Sequence, residues 1–363
     1  MTAYVHIGTP KTGTTTIQNF CEINRLLLLE QGYLYSESVD KVKKRHSLIE
    51  DVVNEIYRNS AKIDLIEKIV KFKKQYLVLK QEILANQNKF FLFSSEAISG
   101  TFNNIVQIEI LKKIMNNLGF NTIYIVVYIR NIKDFVISMA SQSIKSGYLS
   151  PCEANPSNYF RKHIFDYRWI CQNYAKVFGK EKLIVRLFDV DEFYHRDLIK
   201  DFIYSVGLKW NDNFIIPGKI NESLNLIGFE LQSRLNKLGC GGWNREKENN
   251  TLRFAEKYFQ NFDDPGLKFQ PCEKILQDYI DYFQDSNEWV RKNFFPFKAE
   301  LFAKQNFIGY KENDILQNIK PLYWDSIANF VAEIINDKSK KIKQKNNKIT
   351  DLSEAKNKLK VLI

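Results

Sequence analysis

The sequence predicts an α/β fold, a doubly wound central parallel sheet with a C-terminal helical cap, and three observations carry that expectation. Short apolar runs alternate with longer amphipathic stretches over about the first 220 residues, the order that builds successive βαβ units. One of those runs, Thr122–Ile129, is β-branched or aromatic throughout, as a central strand buried on both faces should be. From about Asn221 onward the strand signals stop, and amphipathic stretches remain at 223–238, 252–262, 272–294 and 321–337.

The elements follow in order. Residues 4–8 read as a short buried strand, followed by a Gly/Thr/Pro turn and a helix over 14–31 with Ile17, Phe20, Leu27 and Leu28 at helical spacing. Gly32 ends that helix. The charged, periodic stretch 40–87 predicts helix, 89–94 a buried strand, and 105–118 a helix ended by Gly119. After the strand at 122–129 come helices over 133–145 and 156–178, a strand at 183–187 and a helix near 193–206. The chain thus divides into a core over 1–220, a cap belonging to the same domain over 221–337, and a basic tail over 338–363.

Composition narrows the function classes. The net charge of +11 is concentrated in 338–363, where nine lysines stand against Asp351 and Glu354, a net +7 that leaves +4 for the rest. The body is too mildly basic to expect a nucleic-acid partner. The tail reads as a solvated segment, with peripheral contact to an anionic membrane surface as the alternative. No apolar run approaches the roughly 20 residues of a membrane span, and the N-terminus lacks the pattern of a signal peptide. Cys21, Cys152, Cys171, Cys240 and Cys272 are widely spaced and show no metal-ligand spacing. These features imply a cytoplasmic protein with reduced thiols, at most peripheral to the inner face of the membrane, and no metal is expected.

The turn after the first strand carries the chemistry. Gly8-Thr9-Pro10-Lys11-Thr12-Gly13-Thr14-Thr15-Thr16 joins a strand to a helix start, an arrangement that points backbone N–H groups and a positive helix end at an anion. Gly13 lets the backbone approach closely. Thr14, Thr15 and Thr16 supply hydroxyls, and Lys11 a point charge. Gly8 and Gly13 have the spacing of a Walker A loop, but Thr14 stands where the Walker lysine belongs. That weakens an ATPase or GTPase reading.

The string Pro10-Lys11-Thr12-Gly13-Thr14-Thr15-Thr16 resembles the 5′-phosphosulfate loop of sulfotransferases that use 3′-phosphoadenosine-5′-phosphosulfate (PAPS). The longer string from His6 to Gln18 is similar to bacterial carbohydrate-type members. The resemblance implies a P-loop-type sheet and a second motif, an Arg at the end of a central strand and a Ser eight residues later, both on the 3′-phosphate. Arg130 and Ser138 fit it. An arginine at the carboxyl end of a parallel strand faces the ligand crevice of an open sheet, and guanidinium binds phosphate bidentately.

Looser likenesses extend over roughly 4–302: Gly32-Tyr33-Leu34-Tyr35, Ser94-Ser95-Glu96, Val185-Arg186-Leu187-Phe188-Asp189, Asp201-Phe202 with Gly207-Leu208, Asn221-Glu222-Ser223, Asn287-Glu288-Trp289-Val290 and Leu301-Phe302. The Gly-rich basic segment with which cytosolic small-molecule sulfotransferases complete the 3′-phosphate site is missing. Its absence favours a carbohydrate or glycolipid acceptor and leaves the third donor contact unassigned.

The expected activity is therefore transfer of a sulfuryl group from PAPS to a hydroxyl, releasing 3′-phosphoadenosine-5′-phosphate (PAP). Lys11 would stabilise charge on the leaving phosphate. Glu96, just after the strand at 89–94, and His46 are the candidate general bases, and Gln142 and Lys145 are candidate acceptor contacts. The alternatives are a P-loop kinase acting on a small molecule or sugar, and a non-enzymatic protein that binds membranes or polyanions through its tail.

Overall fold

The computed structural model describes residues 1–37, 46–58, 72–218, 224–238, 250–259, 267–304, 307–312 and 321–361. Cys240, Trp243 and the segment Asn221-Glu222-Ser223 lie outside them, as does much of the predicted helical stretch 40–87.

In chain order the elements are β1 (Thr2–His6), α1 (Thr14–Ile23), α2 (Arg25–Glu30), β2 (Tyr33–Tyr35), α3 (Ser47–Arg58), α4 (Lys73–Ala85), β3 (Phe90–Ser94), α5 (Glu96–Thr101), α6 (Ile105–Asn117) and β4 (Thr122–Ile129). They continue with α7 (Ile132–Lys145), α8 (Tyr167–Phe178), β5 (Leu183–Leu187), α9 (Leu198–Ser205), α10 (Leu226–Lys237), α11 (Asn250–Phe259), α12 (Glu273–Tyr282), α13 (Gln284–Phe294) and α14 (Pro321–Val361). They form two compact units. The first comprises Met1–Val136, Glu153–Asn221 and Glu273–Ile308; the second comprises Ile137–Cys152, Glu222–Cys272 and Gly309–Ile363.

The first unit is α/β, with a five-stranded sheet in the order β2-β3-β1-β4-β5 and every pairing parallel. Tyr4 stands opposite both Leu92 and Tyr124, and His6 opposite Ser94 and Val126. Burial explains the composition of β4: Ile125 to Ile129 are all wholly buried, so an unbroken apolar run replaces the alternation of a half-exposed strand. The chain leaves β1 towards β2 on one side of the sheet and leaves β4 towards β5 on the other. The carboxyl ends of β1 and β4 therefore flank a topological switch point, where open parallel sheets bind their ligands.

Long-range partners satisfy a buried carboxylate inside this unit. Asp201 is wholly buried and accepts from the Arg186 guanidinium, from Tyr128 Oη at 2.8 Å and from the Tyr194 amide at 2.8 Å. Arg186 and Asp201 thus owe their place in the sequence to an ion pair beneath the sheet. Cys21 and Cys171 are buried, and burial pushes both thiols up.

Several sequence expectations need correction. The helix predicted over 14–31 breaks at Asn24, whose side chain donates to Phe20 O and Ile215 O and accepts from Ile215 N; a partner 191 residues away dictates that break. The three-residue edge strand β2 was not anticipated. The helix expected over 156–178 begins only at Tyr167, where the Asp166 carboxylate accepts from Trp169 N at 3.0 Å, and 3₁₀ turns at Pro156–Asn158 and Lys162–Ile164 precede it. The stretch 272–294 is two helices. The stretch 321–337 and the basic segment after it form one helix, α14, which runs as far as Val361.

The described part of the second unit is helical. Ile144, Leu224, Ile227, Phe229, Ala255, Phe259, Tyr323 and Phe330 form its buried cluster.

Candidate anion-binding site

The β1–α1 loop is fastened to the sheet and to itself. Ile7 N donates to Val126 O at 2.9 Å and Thr9 Oγ1 to Tyr128 O at 2.9 Å, which hold the loop against the end of β4. Thr12 Oγ1 donates to Thr9 O at 2.6 Å and accepts from Thr9 N at 3.3 Å. That buried hydroxyl is spent inside the turn.

Three residues of the loop, Gly8 (φ 59°), Lys11 (φ 66°) and Gly13 (φ 71°), are left-handed. A Cβ on Gly8 would lie 2.7 Å from Thr14 Oγ1, and one on Gly13 only 2.3 Å from Leu198 Cδ2, so glycine is required at both. Lys11 holds the same backbone with a side chain, at a cost of order 1–3 kcal/mol that the surrounding structure must offset. The helix begins immediately, with Ile17 N donating to Gly13 O at 3.1 Å. The amides of the first turn therefore have no partner within the helix, and no side chain caps them among the described residues. Thr14 Oγ1 is buried and lacks a hydrogen-bond partner there. An unpaired buried hydroxyl costs free energy, and an anion seated at this helix start would satisfy it.

Arg130, directly after β4, meets the loop. Its Nη1 donates to Lys11 O at 3.1 Å, its guanidinium lies 5.3 Å from the Phe188 ring centre, and Nη2 is 3.9 Å from Asp134. The backbone of Arg130 is clamped by Tyr167, whose hydroxyl donates to Arg130 O at 2.6 Å and lies 3.3 Å from Arg130 N. Burial lowers the guanidinium pKa from its ordinary value; the group stays charged at any physiological pH.

On the loop's other side, α5 is stitched to β1: Ser95 N donates to His6 O at 3.0 Å and Ser99 Oγ to Ile7 O at 2.9 Å. Glu96, half-buried at the first position of α5, has its Cα and Cβ within 3.5 Å of where a Gly8 Cβ would stand.

Three residues near this cluster are given no part in the site by the sequence. Arg161 Nη2 donates to Gly100 O at 3.0 Å, and a Cβ on Gly100 would meet both Arg161 Nη2 and Pro10 Cγ within 4 Å, so a further cation flanks the loop. The Phe188 ring packs against both Gly13 and Arg130. Glu50, buried on α3, accepts from Ser95 Oγ. No local pattern assigns any of them to the site, because each joins it through tertiary contact.

His46 is a correction. Expected as a candidate base, it has its ring buried between Tyr35 and Phe93 instead, and Nδ1 accepts from Ser94 N at 3.0 Å. Its lone pair is committed to the end of β3, which removes it from the candidate bases. His6 is buried likewise, with Nδ1 2.9 Å from Ser94 Oγ.

Burial pushes the pKa of both histidines down from 6.5 to about 3. The unfolded chain takes up protons on them below pH 6.5 while the folded chain does not until about pH 3. Their contribution to stability is therefore complete above pH 6.5 and is lost as the pH falls towards 3. Equilibrium denaturation is expected to show a decline of about 1.4 kcal/mol per pH unit for each histidine in that window. A flat profile between pH 7 and pH 5 would contradict their burial as neutral rings.

The remaining predicted residues belong to the second unit. Ser138 is half-buried on α7. Gln142 Nε2 donates to Ser146 Oγ at 3.2 Å, and Lys145 pairs with Glu256 at 3.0 Å. Among the described residues no group of three or more His, Cys, Asp or Glu could hold a metal ion. A groove of about 830 Å³, lined among others by Tyr33, Phe90, Lys209 and Trp210, opens at the amino ends of β2 and β3, opposite the loop.

No protein-family model matches the chain. It is similar to an uncharacterized protein of Archaeoglobus fulgidus, with 26% identity over 226 residues, which are 61% of this chain and 59% of that protein. The chain thus spans less than two thirds of the length of the curated relative it matches.

Proposed function

We propose that the chain is a sulfotransferase that moves a sulfuryl group from PAPS to a hydroxyl of a carbohydrate or glycolipid acceptor, on a core of the P-loop type. The observation that carries the reading is the β1–α1 loop. Its left-handed residues, uncapped helix start and buried unpartnered Thr14 hydroxyl form an anion cradle at the sheet's switch point. Its lysine precedes Gly13 instead of following it.

These residues fit a donor with anionic groups at both ends. Lys11, the amides of Thr14, Thr15 and Thr16 and the Thr14 hydroxyl would hold the 5′-phosphosulfate, and Arg130 the 3′-phosphate. The part of Ser138 in the second grip rests on the sequence resemblance alone. When bound, PAPS supplies the sulfuryl group and leaves as PAP. Lys11 stabilises negative charge on the leaving phosphate, and Glu96 takes the proton of the acceptor hydroxyl. Arg130 both binds and braces, since its guanidinium also supports the Lys11 carbonyl. Arg161, beside Pro10, adds positive charge to the same rim.

The experiment is a comparison of thermal stabilisation by PAP and by ATP with Mg²⁺. Stabilisation by PAP is expected; stabilisation by ATP with Mg²⁺ alone would transfer the loop to the kinase reading.

A further inference from the structure

Helix α14 carries a row of apolar side chains that its own unit leaves exposed. Its packed face is formed by Tyr323 and Phe330, with Ile327 and Ile334, against the cluster of α10 and α11. Glu333 is held there by Lys257 Nζ at 2.5 Å and by Tyr258 Oη at 2.7 Å. About a quarter turn away, at roughly 100° per residue, Trp324, Val331, Ile335 and Ile342 fall within about 20° of one line along the helix. They are 56%, 44%, 60% and 60% exposed.

Towards its carboxyl end the row runs into a basic stretch: Lys338, Lys340, Lys341, Lys343, Lys345 and Lys348 occur with no acidic residue between 338 and 350. Charge decides what can cover the row. A second copy of α14 laid parallel along it would set the two lysine-rich stretches side by side, and like charges facing each other are destabilising. An anionic lipid surface accepts both features, the isoleucines at the acyl boundary and the lysines among the headgroups. Trp324 suits that boundary, where aromatic side chains collect. Among the described residues no helix is long and apolar enough to cross a membrane.

We infer that the Trp324–Ile342 row of α14 binds an anionic membrane surface and lies in its plane. The inference is independent of the sulfotransferase reading. The test is sedimentation of the full chain with vesicles, phosphatidylcholine mixed with phosphatidylglycerol against phosphatidylcholine alone.

The chain is expected to pellet with the mixed vesicles and to stay in solution with the neutral ones. Ile335→Asp with Ile342→Asp is expected to weaken the partition at least about tenfold. Glutamine at Lys338, Lys340, Lys341 and Lys343 is expected to weaken it about fivefold for each lysine removed. Because these side chains are exposed, both variants should keep the wild-type melting temperature, which separates lost binding from lost folding. Equal binding to both vesicles, binding to neither, or undiminished binding by the variants would overturn the inference. So would a concentration-dependent dimer that the isoleucine changes abolish, which would assign the row to a second copy.

Discussion

Replacing Lys11 by alanine is expected to lower sulfuryl transfer by about 10²–10³-fold, the usual cost of removing one preorganised stabiliser of developing charge. Alanine keeps a Cβ, so the left-handed backbone at φ 66° is no more costly than before. The carbonyl that receives Arg130 Nη1 also remains. The effect should therefore fall on turnover, with PAP binding reduced far less, because charge on the leaving phosphate grows only as the reaction proceeds. Glu96→Gln makes the complementary point. Loss of a general base removes about 10²–10⁴-fold in rate, while the glutamine keeps its place at the start of α5. If both variants turn over as the parent does, neither residue acts as assigned.

Replacing Asp201 by alanine is expected to cost about 3–5 kcal/mol of stability, the penalty for breaking a buried ion pair by removing one partner. Asp201 is wholly buried and receives the Arg186 guanidinium, the Tyr128 hydroxyl and the Tyr194 amide, so its loss strands three donors at once. Arg186 lies partly in contact with solvent, which places the cost towards the lower end. For a unit of this size about 3 kcal/mol corresponds to a melting temperature roughly 6–12 °C lower. Calorimetry checks it, and a fall equivalent to less than about 1 kcal/mol would mean that the network is not the brace it looks.

What could be read from the sequence was set by range. Strands β1, β3, β4 and β5 announce themselves because each is a compact apolar run, and β4 does so most clearly because both its faces are buried. Strand β2 has three residues at the sheet edge, too few for a periodicity to register. The break at Asn24 is dictated by Ile215, and no window along the chain contains both.

The site divides in the same way. Lys11, Gly13 and Arg130 sit in local strings with a recognisable spacing, whereas Arg161 reaches it across 61 residues from Gly100, Glu50 across 45 from Ser95, and Phe188 from still farther along the chain than either. The sequence around His46 does not disclose that its ring packs between Tyr35 and Phe93. The lysine-rich segment after Asp337 reads by composition as a solvated tail, and only the helix sets Ile342 in line with Trp324, Val331 and Ile335.

The central claim is that the β1–α1 loop and Arg130 bind a nucleotide phosphorylated at both the 3′ and 5′ positions, and thermal unfolding with added ligand tests it most directly. At a concentration about 100 times its dissociation constant, PAP should stabilise the protein by about 2.7 kcal/mol. ATP with Mg²⁺ should do far less, and Arg130→Ala should remove most of the PAP effect. Equal stabilisation by the two nucleotides, or a PAP effect undiminished in Arg130→Ala, would contradict the claim.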